Sequence, residues 1–270
     1  MKPAITIALV PEITKGPWVF WNDIEAGMQK ASALGFDAVE LFTASGAAFE
    51  PGYVEQLTSR YNIHICAVGT GAGKVVNGLT LTDPDISIRK KAIAYISEMI
   101  RFGAAFNAPA IIGSMQGNTV PGVSREDALQ WLSEGLNILA EKAYILGVNL
   151  IYEPLNRYET NLFNQLPDAV AFIQKLEWKN VKLLADLFHM NIEEASLALS
   201  IEQCGEYIGH IHFADSNRMA IGFGHTDMDG IAGAIKKIDY KDYISAEIFP
   251  LPDSDIAALQ AITAFKKWFK

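Results

Sequence analysis

Residues 149–186, NLIYEPLNRYETNLFNQLPDAVAFIQKLEWKNVKLLAD, decide the fold. The stretch opens on a short apolar run, NLIYEP, and closes on another, KLLAD, and both have the length and composition of strands. The segment between them carries helical spacing. Two strands joined through a helix form a parallel pair, because a parallel connection needs a long crossover. Reading outward, the same kind of run recurs at ITIALV (5–10), DAVELF (37–42), IHICAV (63–68), PAIIGS (109–114), GHIHFAD (209–215) and YISAEIF (243–249). With NLIYEP and KLLAD that makes eight strands. The intervening stretches are amphipathic, as in IRKKAIAYISEMIRFGAAF from Ile88 and REDALQWLSEGLNILAEKAYIL from Arg125. Ser124 stands as the N-cap of the second, and Gly147 as its stop. Strict alternation at about 30 residues per unit predicts a (β/α)8 barrel. A doubly wound sheet, the competing reading, rarely needs eight evenly spaced units. No linker, composition shift or low-complexity segment divides the chain, so residues 1–270 are expected to form one domain.

Composition narrows the partners. Half of the 270 residues are hydrophobic, enough to bury a sizeable core. The formal net charge of −9, with no Lys/Arg cluster to offset it, repels phosphate backbones and argues against nucleic acid. Two cysteines, Cys66 and Cys204, cannot make a disulfide framework in a chain this long and read as buried thiols. The start, MKPAITIALVPE, has too short an apolar run for a signal or spanning segment. A cytoplasmic protein without membrane contact is expected. Homodimer and homotetramer both stay open, because apolar residues on helix faces serve an interface or the core equally.

Barrel active sites lie where strands end. Glu153 closes the fifth run and Asp186 the sixth, while His212 and Glu247 lie near the ends of the seventh and eighth. Their separations of 33, 26 and 35 residues each equal about one strand–helix unit, so all four belong to one rim of adjacent strands. Three carboxylates that close repel one another and favour protonation unless a cation neutralises them. A mixed oxygen and nitrogen set suits one divalent ion, Mn2+ first and Mg2+ or Co2+ next, better than a thiolate-rich zinc site. Glu159, His189 and Arg218 follow these ends by six, three and six residues and are expected to overhang the mouth.

The strings EPLNRYE (153–159), DLFHMNIEE (186–194) and HIHFADSNR (210–218) resemble the D-tagatose/D-psicose 3-epimerase family, within the xylose isomerase-like sugar isomerases and epimerases. The likeness spans the whole chain. It implies that Glu153, Asp186, His212 and Glu247 hold the metal, and that Glu159, His189 and Arg218 contact the substrate. Phe249 matches an apolar pocket residue of the resembled epimerases. It further implies C3 epimerisation of a non-phosphorylated ketose or keto sugar acid. In that chemistry Glu153 and Glu247 are the acid/base pair, and the proton leaves and returns through a metal-stabilised enediolate. The small-molecule partner is then a sugar. The chain departs from the pattern at Ala214-Asp215, where the ketose 3-epimerases carry Gly-Glu, and continues as IGFGHTDMDG (221–230), which is expected to bring His225 and Asp227 near the mouth. That ending is more like relatives acting on varied sugars. A lyase acting on a 3-keto glycoside would use the same proton abstraction. An apurinic endonuclease-like enzyme would need ligands on more strands, and a catalytically inactive sugar-binding barrel would not need the intact set.

Other signals carry less. GTGAGK (69–74) imitates a phosphate loop, but VVNGLTLTDPD (75–85) reads as loop where such a motif needs a helix. His210 lies about 7 Å farther down its strand than His212, at ~3.4 Å per residue, and reads as a core histidine bonded to a neighbour. Glu40 reads either as a support for the site or as a solvated residue. Trp18 and Trp21, in KGPWVFW (15–21), suit a pocket wall or the core equally. The loop FPLPDSD (249–255) offers prolines and aspartates where a phosphate site would need N–H groups or cations.

Overall fold

A computed structural model describes residues 1–50 and 52–270. Eight parallel strands close on themselves: β1 (Lys2–Leu9), β2 (Ala38–Thr43), β3 (His64–Gly69), β4 (Ala110–Ile112), β5 (Leu150–Tyr152), β6 (Val181–Asp186), β7 (Ile208–His212) and β8 (Tyr243–Ala246). The closing contact is β8 against β1, with Pro3 opposite Ile244 and Ile5 opposite Ala246. A two-residue strand, Phe20–Trp21, adds to the outer edge of β1. All eight expected runs are strands. The fifth and eighth end earlier than their apolar runs do, so Glu153 and Glu247 stand one residue beyond the last paired position.

Burial explains the closure. β2 is buried at every position and β1 at six consecutive ones, the pattern of strands covered on both faces. The outer faces pack against helices that include α1 (Ile24–Leu34), α2 (Tyr53–Tyr61), α3 (Ala72–Asn77), α4 (Ile86–Ala104) and α5 (Arg125–Ile145). The second half adds α6 (Leu166–Ile173), α7 (Leu187–Glu193), α8 (Leu197–Cys204), α9 (Met228–Lys237) and α10 (Ser254–Phe269). Ser124 caps α5 as expected, accepting from the backbone N–H of Asp127 at 3.0 Å, and Gly147 follows with φ of 76°. The inner faces hold a smaller cluster of Ala4, Ala38, Ala67, Ile111, Ile151 and Leu184. Side chains alternate along a strand, so the residue two places on shares a face. Ile151 therefore stands directly below Glu153, Leu184 below Asp186, and Ala38 below Glu40. An apolar plug fills the barrel and the polar residues form the layer above it.

One expectation fails. The six-residue helix α3 begins inside GTGAGK, at Ala72, and runs on to Asn77, where loop was predicted. Gly78, with φ of 66°, stops the helix after two turns, which is why the sequence VVNGLT looks unhelical.

Candidate active site

Glu153, Asp186 and His212 converge, as do Glu40, His212 and Glu247, each trio offering ligand atoms within 4.8 Å of one another. His212 joins the two. Its Nδ1 lies 3.1 Å from Asp186 Oδ2, 3.6 Å from Glu153 Oε1 and 3.5 Å from Glu247 Oε2. Asp186 is the last residue of β6 and also the N-cap of α7, where its Oδ1 accepts the backbone N–H groups of Phe188 (2.7 Å) and His189 (3.1 Å). That leaves its Oδ2 turned toward His212. Glu153 depends on a glycine at the end of the neighbouring strand: a Cβ on Gly113 would stand 2.3 Å from Glu153 Oε2. The same corner is braced by Gln116, whose Nε2 donates to the carbonyls of Gly113 and Glu153, both at 2.9 Å, and whose Oε1 accepts from the Tyr152 hydroxyl at 2.5 Å.

The charges interact strongly. Burial pushes the Glu153 carboxyl well above its usual range; His212 and Arg218 oppose this, and Glu247 and Asp186 add to it. Asp186 is also buried, but His189, His212 and Arg218 outweigh that effect and hold it well below the usual range. For His212 burial favours the neutral ring, yet Glu40, Glu247 and Asp186 raise it well above an ordinary histidine.

His189 sits in the first turn of α7, buried, with Nε2 3.9 Å from both Glu153 Oε1 and Asp186 Oδ2. Its Nδ1 accepts the backbone N–H of Asn156 at 3.3 Å and faces the Asn156 side-chain nitrogen at 2.7 Å. Asn156 Oδ1 is taken by the Tyr158 N–H at 3.0 Å, which fixes the amide's orientation. With Nδ1 an acceptor, the neutral ring carries its proton on Nε2 and points it into the cavity. Burial lowers the His189 pKa and favours that neutral form.

Arg218 adopts a left-handed backbone, φ 60°, on the loop after β7. Its guanidinium donates to Glu247 Oε2 at 2.6 Å, approaches Glu159 Oε1 at 3.7 Å and lies over the Phe188 ring. The loop is organised by buried Asp215, whose carboxylate accepts the backbone N–H groups of Ser216, Gly222, Gly224 and Thr226 at 2.7–2.9 Å. Glu159 is partly exposed and accepts from Asn156 Nδ2 at 3.2 Å.

Glu153, Glu159, His189, His212, Arg218 and Glu247 line one cavity of about 210 Å³, whose other wall includes Trp18, Phe42, Gly69, Thr70 and Gly71. Trp18 stacks on Phe42 with ring centroids 4.2 Å apart, so it is a pocket wall, while Trp21 packs edge-on against it. Two expected neighbours of the mouth lie elsewhere. Phe249 lines an adjacent apolar cavity with Pro11, Ile13, Trp21 and Leu251 and does not line the central one. His225 and Asp227 also turn away, because the Asp215 hydrogen bonds draw residues 216–226 back over its own carboxylate and Asp227 caps α9. Gly113, Gln116, Asn156 and Phe42 went unremarked in the sequence. Only Gly113, near the end of the strand-like run PAIIGS, left a readable sign.

Fold and site together define a single-domain TIM barrel with an acidic, imidazole-bearing centre at the C-terminal ends of its strands. The chain belongs to the xylose isomerase-like TIM barrel family, whose model matches residues 28–267. It is 28% identical over 246 residues to the D-psicose 3-epimerase of Ruminiclostridium cellulolyticum, covering 86% of this chain and 82% of that one. It is 30% identical over 241 residues to the L-ribulose 3-epimerase of a Methylomonas species, covering 83% and 79%. Among solved structures, the D-psicose 3-epimerase of Clostridium cellulolyticum with D-tagatose superposes over the full length of both chains, with a TM-score of 0.84 at 23% identity. That last likeness speaks for the fold.

Proposed function

We propose that the protein is a divalent-metal-dependent isomerase that inverts C3 of a free ketose, or at most of a keto sugar acid, in the cytoplasm. The observation that carries this is His212 Nδ1 facing three carboxylates within 3.6 Å at the floor of the cavity. Two buried acids and a part-buried one around one imidazole are the donor set of a cation with oxygen and nitrogen ligands, and the residues fit Mn2+ first. The space kept open at Gly113 lets Glu153 join that set. The names of the matched relatives, D-psicose and L-ribulose 3-epimerase, support the substrate class.

A bound divalent cation supplies Lewis acidity to adjacent oxygens of the open-chain sugar and so acidifies the C3 proton. Glu153 and Glu247 then work as the acid/base pair: one removes the proton, and the other returns one to the opposite face. His189 offers its Nε2–H, and Arg218 offers an Nε–H that is buried and has no partner among the described residues; both suit sugar hydroxyls. Glu159 accepts from another hydroxyl, and the Trp18–Phe42 stack covers an apolar edge of the sugar.

The mouth favours an uncharged terminus. Barrel phosphate sites use the loops after the last two strands and a helix N-terminus. Here the N-terminus of α10 is capped by Asp253, which accepts from Ile256 N at 2.8 Å, and Asp255 lies in its first turn. Free, buried Cys66 and Cys204 accord with a reducing compartment, and no helix among the described residues is long and apolar enough to cross a membrane.

Incubation of the Mn2+-loaded protein with a panel of free ketoses in D2O tests the reading. Deuterium is expected at C3 of substrate and product with the molecular formula otherwise conserved. Chelation should abolish the exchange and Mn2+ should restore it. Exchange that survives exhaustive chelation, a tenfold preference for a terminal phosphate ester, or release of an eliminated fragment would each overturn it; the last would make the enzyme a lyase.

A further inference from the structure

His212 can bind a cation through Nδ1 only if that nitrogen is unprotonated and held on the axis of the carboxylates. Its other nitrogen is therefore informative. His212 Nε2 lies 3.2 Å from Glu40 Oε1, and the second oxygen of the same carboxylate, Oε2, lies 2.8 Å from His210 Nε2. All three residues are buried, each at most 4% exposed. An ionised carboxylate only accepts, so both rings turn an Nε2–H toward Glu40, and Nδ1 of His212, which faces Glu153, Asp186 and Glu247, is the nitrogen that must give up its proton when a cation binds. The two imidazoles stand 5.5 Å apart at 82°, which lets one carboxylate reach both.

The backbone is irregular at the same places. Pairing between β2 and β3 shifts register between Val39 and Glu40, passing over Cys66, and pairing between β6 and β7 shifts between Leu183 and Leu184, passing over Gly209. A bulge re-aims the side chain beside it. One of these bulges adjoins Glu40 and the other adjoins His210. At the second, a Cβ on Gly209 would stand 2.6 Å from Lys182 Cβ, so the bulge requires glycine. Two independent irregularities thus bring together the two ends of one hydrogen-bonded chain.

We propose that Glu40 and His210 are positioning residues: His210 locks the Glu40 carboxylate, and the carboxylate fixes the tautomer and direction of His212 as a metal ligand. This rests on the metal-dependent reading above. It also separates Glu40 from the ligands themselves, although its oxygens lie close enough to His212 and Glu247 to be taken for one of them.

Titration of the metal-stripped protein with Mn2+ alone, without sugar, tests the proposal. Glu40→Gln cannot accept from both rings at once, and Mn2+ affinity should fall about tenfold to a hundredfold, as for other supports of metal-bound histidines. His210→Phe, which touches no ligand atom of the centre, should show a loss of the same order, and His210→Gln, which restores an N–H donor to Glu40, should recover most of it. Wild-type affinity in His210→Phe overturns the proposal, whether or not Glu40→Gln loses the metal. A lowered Tm of the stripped variants with unchanged Mn2+ affinity assigns the pair to packing alone and overturns it too. If His210→Phe does not fold, NMR of the wild-type protein loaded with diamagnetic Zn2+ decides. Two slowly exchanging, low-field Nε2–H signals from His210 and His212 are expected, and their absence counts against the proposal. A wild-type protein that binds no Mn2+ would instead defeat the metal-dependent reading itself.

Discussion

The two halves of the barrel mouth are built from different materials. From β5 to β8 the strand ends carry Glu153, Asp186, His212 and Glu247, with Glu159, His189 and Arg218 on the following segments. From β1 to β4 the same level offers Phe42, Gly69, Thr70, Gly71 and Gly113, with Trp18 leaning in from the first loop. One half holds the charges; the other leaves room for them and covers them. Glu40 is the exception, and its carboxylate points across the barrel to His210 and His212 of the charged half. The difference teaches that a site read from its acids and bases is only half described, because the position of Glu153 depends on the side chain that the neighbouring strand end omits at Gly113.

The largest effect compares one residue from each half. Glu153→Gln and Glu247→Gln should each lower kcat by 10²-fold or more, since general acid–base groups contribute about 10²- to 10⁴-fold. Metal content must be measured alongside, because each residue is also a proposed ligand. Gly113→Ala, from the quiet half, should lower kcat/KM by about 10²-fold through displacement of the Glu153 carboxylate, whose Oε2 would otherwise lie 2.3 Å from the new Cβ. Near-normal turnover of Gly113→Ala, with metal bound, would break the claim that the empty wall positions the charged one. Near-normal turnover of either glutamine variant would remove that residue from the acid/base pair.

What was legible follows the same division. Strands and helices announced themselves through period and spacing, and the four charged strand ends could be placed on one rim because each lay one unit from the next. His225 and Phe249, which follow β7 and β8 in sequence, do not line the central cavity for a physical reason: local hydrogen bonds hold them beside it. The Phe249 N–H is held by the Arg218 carbonyl at 2.8 Å, and the His225 N–H by Ser216 Oγ at 3.0 Å. Whether Glu40 supports the site is a long-range matter, 170 residues from His210 in the chain, and no local pattern reports it.

An intermediate effect concerns the loop that carries Arg218. Burial would raise the Asp215 carboxyl, but the backbone N–H groups of Thr226, Gly224, Ser216 and Gly222 outweigh it and hold it below the usual carboxylate range. Asp215→Ala leaves those donors without their acceptor and should cost about 2–3 kcal/mol of stability, on the scale of hydrogen bonds to a charged group. The sign of the pH dependence follows from the lowered folded value. The carboxylate's contribution is present above the unfolded pKa near ~3.9 and is lost as pH falls through the folded one. The stability gap between wild type and Asp215→Ala should therefore be constant from neutral pH down to about 4 and narrow below it. Denaturant melts at a series of pH values check this; a gap that widens with acid would mean that Asp215 is not the ionised hub of the loop.

The smallest effect separates two aromatic residues: Trp18, which the sequence leaves open between pocket wall and core, and Phe249, which the family resemblance assigns to an apolar pocket. Trp18 lines the central cavity, stacked on Phe42 at 4.2 Å, and its face is available to the apolar edge of a sugar. Phe249 is 36% exposed and lines the adjacent cavity, with Pro250, Leu251 and Trp21 beside it. An aromatic contact is worth about 0.5–1.5 kcal/mol beyond its buried area, which corresponds to roughly two- to tenfold in binding. Trp18→Ala should thus raise KM several-fold, with a smaller change in kcat, because the ring contacts the sugar away from the reacting carbon. Phe249→Ala should change neither constant by more than about twofold for a simple ketose, since the lost area lies outside the central cavity. Steady-state kinetics on both variants with the same ketose decide the matter. A Phe249→Ala effect equal to that of Trp18→Ala would show that the sugar reaches the adjacent cavity, and the boundary drawn here between the two would have to move outward past residue 249.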